Sequence, residues 1–418
     1  MMLGATSAAV AAGVTAVRTA PPAKTAPPAT VAARTAPAVH PPLFAQAQSP
    51  APAQTPAAPA AAAQAGGPKP QMVEDVFKNV RVLRGITVDD FMGTMGAMSA
   101  ALSMCCDSCH DGAGTDKVDW ASDSLPRKVR ARQMVLMTAA INKNFAPRQM
   151  VTCWTCHRGR DIPTTTPDIE FDVYGSPRLE PDDVFRQSFS GEPAPTEIFN
   201  KYIEAIGGQK RLATVTSITG VGSAKGFGGL GGDAVVNYYA QAPDKRATVV
   251  SFPKDPSNRG NETRTFDGTT GWISVPHAVV EQYEISGAER NGARFDAQAA
   301  FPLQILKALT DIKVGPPEIV NDRPVKVVQG MGQGGLVVKL FFDADNGYLV
   351  RVVRMNPSPI GRVPIMIDYS DYKEVDGIRV PHTWTFAWLD GRTTMNLKEI
   401  RFNQKIDPAV FGRPAALK

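Results

Sequence analysis

Cys153 and Cys156 stand two residues apart and are followed at once by His157 in the run CWTCH, and Cys106, Cys109 and His110 repeat the pattern in CDSCH. Paired thiols at this spacing are ordinary zinc ligands, with a nearby imidazole as a third. In both copies, however, the histidine directly follows the second cysteine, where a tetrahedral site would strain to use all three. The order suits a porphyrin instead: two thiols add across the two vinyl groups of one ring edge, and the adjacent imidazole swings under the ring to meet the iron. Two copies in one short stretch point to two covalently attached haem c groups, with His110 and His157 as metal ligands.

A second axial ligand separates an electron carrier from a gas- or peroxide-binding site. Upstream of each motif the chain repeats Met-x-x-Met-Ser/Thr-Ala-Ala-Leu/Ile, as MGAMSAAL at 95–102 and MVLMTAAI at 134–141. The first copy predicts a helix starting at Thr87, with Asp90 as its capping-box partner and Phe91, Met95, Met98 and Leu102 on one face. The second predicts a helix opening at Pro126, with Ala131, Met134, Met137 or Thr138, Ile141 and Phe145 as the matching stripe. A methionine on an apolar stripe is more often a flexible core filler than a ligand. Its recurrence beside each haem motif makes Met95 and Met134 the economical metal ligands, since His40, His277 and His382 lie elsewhere in the chain. Two methionine-ligated irons disfavour a peroxidase, so the chain reads as an electron carrier and not an enzyme.

The run VFKNVRVLRGITVDDFMGTMGAMSAAL, then CDSCH, then WASDSLPRKVRARQMVLMTAAIN, then VTCWTCHRG resembles the cytochrome c subunit of photosynthetic reaction centres over roughly residues 75–160. The resemblance implies that the first methionine of each Met-x-x-Met is axial, pairing Met95 with the His110 haem and Met134 with the His157 haem. It also implies a membrane electron-transfer complex such as a reaction centre as partner, together with a soluble redox partner. The family carries four haems in two such halves, whereas this chain has motifs for two, and its frequent N-terminal lipid-modified cysteine has no counterpart before Cys105. Cys105, next to Cys106, is expected to be a packed thiol. Arg127, Lys128, Arg130 and Arg132 are expected to form a solvated basic face, although Arg130 lies one turn from Met134 and could meet a haem propionate.

At 418 residues the chain has room for two or three domains, and a net charge of +5 is too mild to indicate nucleic acid. All five cysteines lie between 105 and 156, so no disulfide framework is implied for the rest. Haem attachment of this kind takes place outside the bacterial cytoplasmic membrane, as resemblance to such cytochromes implies, so a periplasmic, membrane-associated protein with an export signal is expected. Residues 7–17 are a poor signal and far too short to span a bilayer. Four regions follow from composition: an export remnant and Ala/Pro-rich tether over 1–70, a di-haem cytochrome domain over 71–175, a Pro-rich linker over 176–195, and an antiparallel β domain over 196–418. The fold class is therefore α+β multidomain, a small helical di-haem unit followed by a half-barrel-like antiparallel sheet with one or two helices.

In the last region Thr196 to Ile206 predicts a helix closed by Gly207 and Gly208, and FPLQILKAL at 301–309 the one helix lying across the sheet. Asp345-Asn346-Gly347, Asp376-Gly377 and Asp390-Gly391 are hairpin turns. His382, Trp384, Phe386 and Trp388 share a strand face, which is either sheet core, the favoured reading, or the wall of an apolar cavity. The order of helix, long sheet and helix loosely resembles the periplasmic lipoprotein-carrier fold, which implies an apolar ligand. An apolar-ligand or lipid-binding protein with accessory or sensory haems is thus the alternative to electron transfer.

Overall fold

The computed structural model describes residues 70–145, 151–163, 165, 184–226, 234–253, 260–276, 278–389 and 391–416. Most of the expected tether, the 176–183 half of the linker, His40, His277 and Asp390 lie outside them. Four helical pieces come first: α1 (Val73–Val76), α2 (Val88–Leu102), α3 (Pro126–Phe145) and α4 (Cys153–His157). Helices α5 (Pro195–Ala205) and α6 (Gln209–Leu212) follow, and between them Gly207 and Gly208 take φ of 132° and 82°, which a side chain would oppose.

Fourteen strands then form one antiparallel sheet: β1 (Ser217–Lys225), β2 (Ala234–Gln241), β3 (Lys245–Ser251), β4 (Glu262–Phe266), β5 (Gly271–Ser274), β6 (Gln282–Ile285), β7 (Thr310–Val314), β8 (Glu318–Val320), β9 (Arg323–Met331), β10 (Val337–Asp343), β11 (Leu349–Ser358), β12 (Gly361–Val375), β13 (Ile378–Trp388) and β14 (Gly391–Phe402). Strands β1 to β6 form one meander and β9 to β14 another, and the pairing of β1 with β14 joins them. At that seam Gly222 sits at a register shift, where a Cβ would meet the Asn396 carbonyl oxygen at 2.0 Å. The β12–β13 hairpin turns through Asp376 and Gly377 at φ of 49° and 75°, the left-handed pair that a two-residue hairpin requires.

The expected helix at 301–309 is instead two 3₁₀ turns, Pro302–Gln304 and Leu306–Ala308. Phe301, Ile305 and Leu309 are all buried, so the helical spacing identified the inward side chains but not the backbone that carries them. The helix across the sheet is α7 (Gly287–Ala299), which the apolar pattern did not reveal because it turns Glu289 and Asp296 inward beside Phe295. Arg354 of β11, 4% exposed, points at α7. Its Nη2 lies 3.1 Å from Glu289 Oε1 and its Nε 3.2 Å from Asp296 Oδ2, while Asn356 donates to Glu289 at 2.7 Å. Gly292 lies between these carboxylates, and a Cβ there would meet Arg354 Nη1 at 2.1 Å.

The main core gathers Ile198, Phe199, Tyr202 and Ile203 of α5, Phe295 of α7 and inward residues of the sheet, such as Val236, Leu340, Val352 and Leu397. Strand β10 is buried along its whole length, and on its other face Phe341 packs in a second cluster with Phe185 and with Val320, Val325 and Val327 of β8 and β9. Phe185 is held there by Gln329, whose side chain accepts from the Phe185 N–H at 2.7 Å and donates to its carbonyl at 3.1 Å. The described end of the linker stretch, from Phe185 onward, is therefore attached to the sheet.

Helix α2 docks on the same assembly. The N–H and hydroxyl of Ser286, at the start of α7, both donate to Asp89 Oδ2, at 2.5 and 2.9 Å. Burial, reinforced by the nearby Glu289 carboxylate, pushes Asp89 up to about 7 despite these bonds.

Two predictions follow from this packing. Arg354→Met leaves Glu289 and Asp296 buried without their cation and should cost about 3–5 kcal/mol, read as a lower urea midpoint at unchanged slope. A shift below about 1 kcal/mol would mean that water reaches the pair. For Asp89, the native state holds a proton that the unfolded chain has released between pH 3.8 and about 7, so stability falls as pH rises through that window. Asp89→Asn should flatten that part of the pH–stability curve and exceed the parent in thermal midpoint at pH 8; an unchanged slope would remove Asp89 as its source.

Candidate haem-attachment site

Helix α2 begins where the capping chemistry placed it. Thr87 accepts from the Asp90 N–H at 3.3 Å and its hydroxyl donates to Asp90 Oδ2 at 3.1 Å. Its buried residues are Val88, Thr94 and Ala101, and Met95 is half-buried beside them. Helix α3 opens at Pro126 as expected, and its buried face is Val135 and Thr138, with Met134 and Ile141 half-buried and Met137 exposed at 46%. The stripe therefore runs through Thr138 and not Met137. The Thr138 hydroxyl donates to the Met134 carbonyl at 2.9 Å.

The first motif forms a tight 3₁₀ turn over Cys106–Ser108, closed by the His110 N–H donating to the Cys106 carbonyl at 2.8 Å. The second is the short helix α4, capped by reciprocal bonds between Thr152 and Thr155. Each turn carries its two thiols and the following imidazole within five consecutive residues. Cys105, expected to be packed, is exposed, because it is the cap of the first turn and lies outside it. No disulfide joins any of the five cysteines, and among the described residues no three His, Cys, Asp or Glu side chains converge as a metal cluster.

The two motifs are neighbours in space. Asp161, beyond the second motif, pairs with Arg127 of α3 at 3.3 Å, and both are close enough to act on the Cys109 thiol. The Gly159 N–H donates to the Ala101 carbonyl at 2.9 Å, which ties the exit of α4 to the end of α2. Asn142 of α3 clasps the Val151 main chain through bonds of 2.8 and 2.7 Å and so fixes the entry to α4. Nothing in the sequence marked Asn142 for this task. The basic run is only partly solvated: Arg130 is exposed, but Lys128 and Arg132 fold inward onto Asp123, Arg132 at 2.8 Å.

The residues present fit haem c. His157 Nδ1 is engaged by the Arg160 carbonyl at 2.9 Å, which leaves Nε2 as the metal-facing nitrogen. His110 packs edge-on to Trp120, with ring centroids 5.2 Å apart. Its Nδ1 is buried without a well-formed hydrogen bond, although the Trp120 main chain lies near enough to favour the protonated ring. Burial, then Lys128 and Arg132, pushes His110 below the usual imidazole range, toward the neutral form that binds metal. Burial pushes the thiols of Cys109 and Cys153 up. Large apolar side chains stand exposed in the same segment, Trp154 at 56%, Leu136 at 60% and Ile162 at 77%, a surface suited to a porphyrin plate.

Farther along the chain, the aromatic face of β13 divides between two cavities. Trp384 packs on Tyr238 and Tyr369 and lines a cavity of about 270 Å³, while Phe386 and Trp388 line another of about 380 Å³ that α2 helps to close. His382 is buried against the Val380 carbonyl. No described helix is long and apolar enough to cross a membrane.

Residues 38–171 match the family model of the photosynthetic reaction centre cytochrome C subunit. The same region is 36% identical over 107 residues to the photosynthetic reaction center cytochrome c subunit of Thermochromatium tepidum, covering 24% of this chain and 24% of that protein. It is 38% identical over 102 residues to the counterpart in Roseobacter denitrificans, covering 22% and 27%. The chain thus spans about a quarter of the length of the curated relatives it matches. Among solved structures, a DUF1329 family protein from Desulfovibrio piger is similar with a TM-score of 0.36 at 12% identity, covering 52% of this chain and 96% of that one. A LolA superfamily protein from Nitrosomonas europaea is similar with a TM-score of 0.36 at 11% identity, covering 53% and 99%. The matched amino-terminal segment, with its paired thiols and following histidines, is similar to the photosynthetic reaction centre cytochrome c subunit family.

Proposed function

We propose that the chain is a two-haem c-type electron carrier, acting on the periplasmic side of a membrane and passing electrons to a membrane complex such as a photosynthetic reaction centre. The observation that carries this reading is the imidazole of His157, oriented through Nδ1 by a main-chain carbonyl directly after two thiols at haem-attachment spacing. Cys106 and Cys109 would hold one porphyrin and Cys153 and Cys156 the other, with His110 and His157 as proximal ligands. Met95 and Met134 would supply thioether ligands, paired with His110 and His157 respectively as the family resemblance implies. Haem bound in this way supplies a one-electron couple, and methionine ligation favours its ferrous form. The protein's own part is to orient the His157 imidazole through Arg160 and to keep His110 toward its neutral form. The end of α2 abuts the second motif, while Lys128 and Arg132 of α3 act on His110 of the first. Ligand replacement is therefore the test of pairing.

Covalent haem should be visible as a stain that survives a denaturing gel, with a mass exceeding the polypeptide by two haems; Cys153→Ala with Cys156→Ala should remove one of them. Zinc bound without haem would overturn the reading.

Met134→Leu nearly conserves volume, so packing should change by less than about 1.5 kcal/mol. One haem should turn high-spin, bind carbon monoxide and fall in potential, and near-infrared loss of the sulfur-to-iron band should accompany it. The same change produced by Met137→Leu, with Met134→Leu silent, would move the ligand by one turn.

A further inference from the structure

The cavity of about 380 Å³ lies where α2, α7 and the concave side of the sheet meet, and its size is that of a small-molecule site. Gly93, Gly96 and Met92 of α2 form one side, and Phe386 and Trp388 of β13 are part of its aromatic wall. The haem-segment helix and the sheet domain therefore build it together.

Three of the lining side chains keep an oxygen without a hydrogen-bond partner: Asp89 Oδ1, Asp296 Oδ1 and Thr393 Oγ1. Thr393 is 1% exposed, and such a concentration of unmade bonds around one cavity is costly unless something supplies donors. The charge of the lining selects the ligand further. Asp89, Asp90, Glu262, Glu289 and Asp296 outnumber Arg246, Arg264 and Arg354. Each guanidinium already has a place: Arg354 with Glu289 and Asp296, Arg264 with Glu262 at 3.4 Å, and Arg246 over the Phe386 ring at 5.5 Å. An anionic headgroup, such as a fatty-acid carboxylate or a phosphate, would face surplus carboxyl groups. A cationic headgroup would compete with Arg246 for the aromatic face. Burial also pushes Asp89 up to about 7, toward the uncharged form that exchanges hydrogen bonds with a neutral hydroxyl, while Glu262, Glu289 and Asp296 stay ion-paired with the arginines.

We propose that this cavity is a binding site for a neutral amphipathic molecule with an aromatic ring and hydrogen-bond-donating hydroxyls, of the phenol or hydroquinone class. The ring lies against Phe386 and Trp388, and the two hydroxyls of a hydroquinone donate to Thr393 Oγ1 and to one of the two unpaired carboxyl oxygens, Asp89 Oδ1 or Asp296 Oδ1. The site does not depend on haem for binding, so it can fail without disturbing the electron-carrier reading, and the reverse.

Isothermal titration calorimetry on the full haem-bearing chain with a decyl-substituted benzohydroquinone tests it, against the dimethyl ether of the same molecule, oleate and dodecylamine. The expected result is saturable binding of one hydroquinone, at least ten-fold tighter than the other three. Thr393→Val, which keeps the shape and removes the hydroxyl, should weaken it at least ten-fold while the thermal midpoint holds. Gly93→Leu should abolish binding by filling the cavity from α2; a Cβ at Gly93 meets nothing closer than Val363 at 3.8 Å, so the helix tolerates the addition. Equal binding of the dimethyl ether, oleate or dodecylamine would overturn the proposal, as would the absence of binding heat or hydroquinone binding that persists in both variants.

Discussion

Arg354 on β11 is almost wholly buried, so its charge dictates what can pack over that part of the sheet. Two carboxylates have to come to it, and both are carried by α7, which also brings a glycine at the point of closest approach. A buried ion cluster of this kind is a weak source of net stability but a strict source of register, because any slip of the helix leaves a charge unpaired in low dielectric. The start of α7 in turn presents Ser286 to Asp89, so the position of α2 on the sheet depends on where Arg354 has pinned α7. A polar constraint in the β layer thus reaches the helix that carries Met95.

The sheet that bears this constraint is locally simple. Nearly every strand pairs with its sequence neighbour, which keeps loops short and the contacts cheap to form. The long-range exception is the pairing of β1 with β14, the strands farthest apart in the sheet sequence, and it merges two meanders into one sheet. The fit there is tight enough that Gly222 cannot take a side chain. Aromatic side chains concentrated on β13 then face an interior that is only partly filled, and they serve as both core and cavity wall.

The haem segment is organised differently, with short turns doing the positioning. Each motif is a single turn of helix or 3₁₀ whose caps are local, so thiols and imidazole are arranged by a few residues. What keeps the motifs together is a set of main-chain clasps from α2 and α3, through Ala101 and Asn142, with few large buried side chains. Apolar surface at Trp154, Leu136 and Ile162 is accordingly available to a planar group and not consumed by a protein core.

The sequence alone determined the elements whose causes are local. Thr87 with Asp90 and the proline at 126 marked the starts of α2 and α3; Gly207 and Gly208 marked the end of α5; Asp376-Gly377 marked a hairpin; and the repeated cysteine and histidine spacing marked the candidate attachment site. The thiols of CDSCH and CWTCH are legible because their order is itself the chemistry. Tertiary structure decided whatever depended on a distant partner. Helix α7 was hidden because its inward side chains, Glu289 and Asp296, look like a solvated face until Arg354 is placed opposite them. The 301–309 stretch read as a helix because Phe301, Ile305 and Leu309 have helical spacing, while the sheet beneath required only that they point inward. Lys128 and Arg132 read as surface until Asp123 turned them in, and Asp89 gave no sign of its Ser286 contact. Local hydrogen-bond and turn chemistry is written in adjacent residues, whereas the pairing of buried charges is settled only when residues from different parts of the chain share one low-dielectric space.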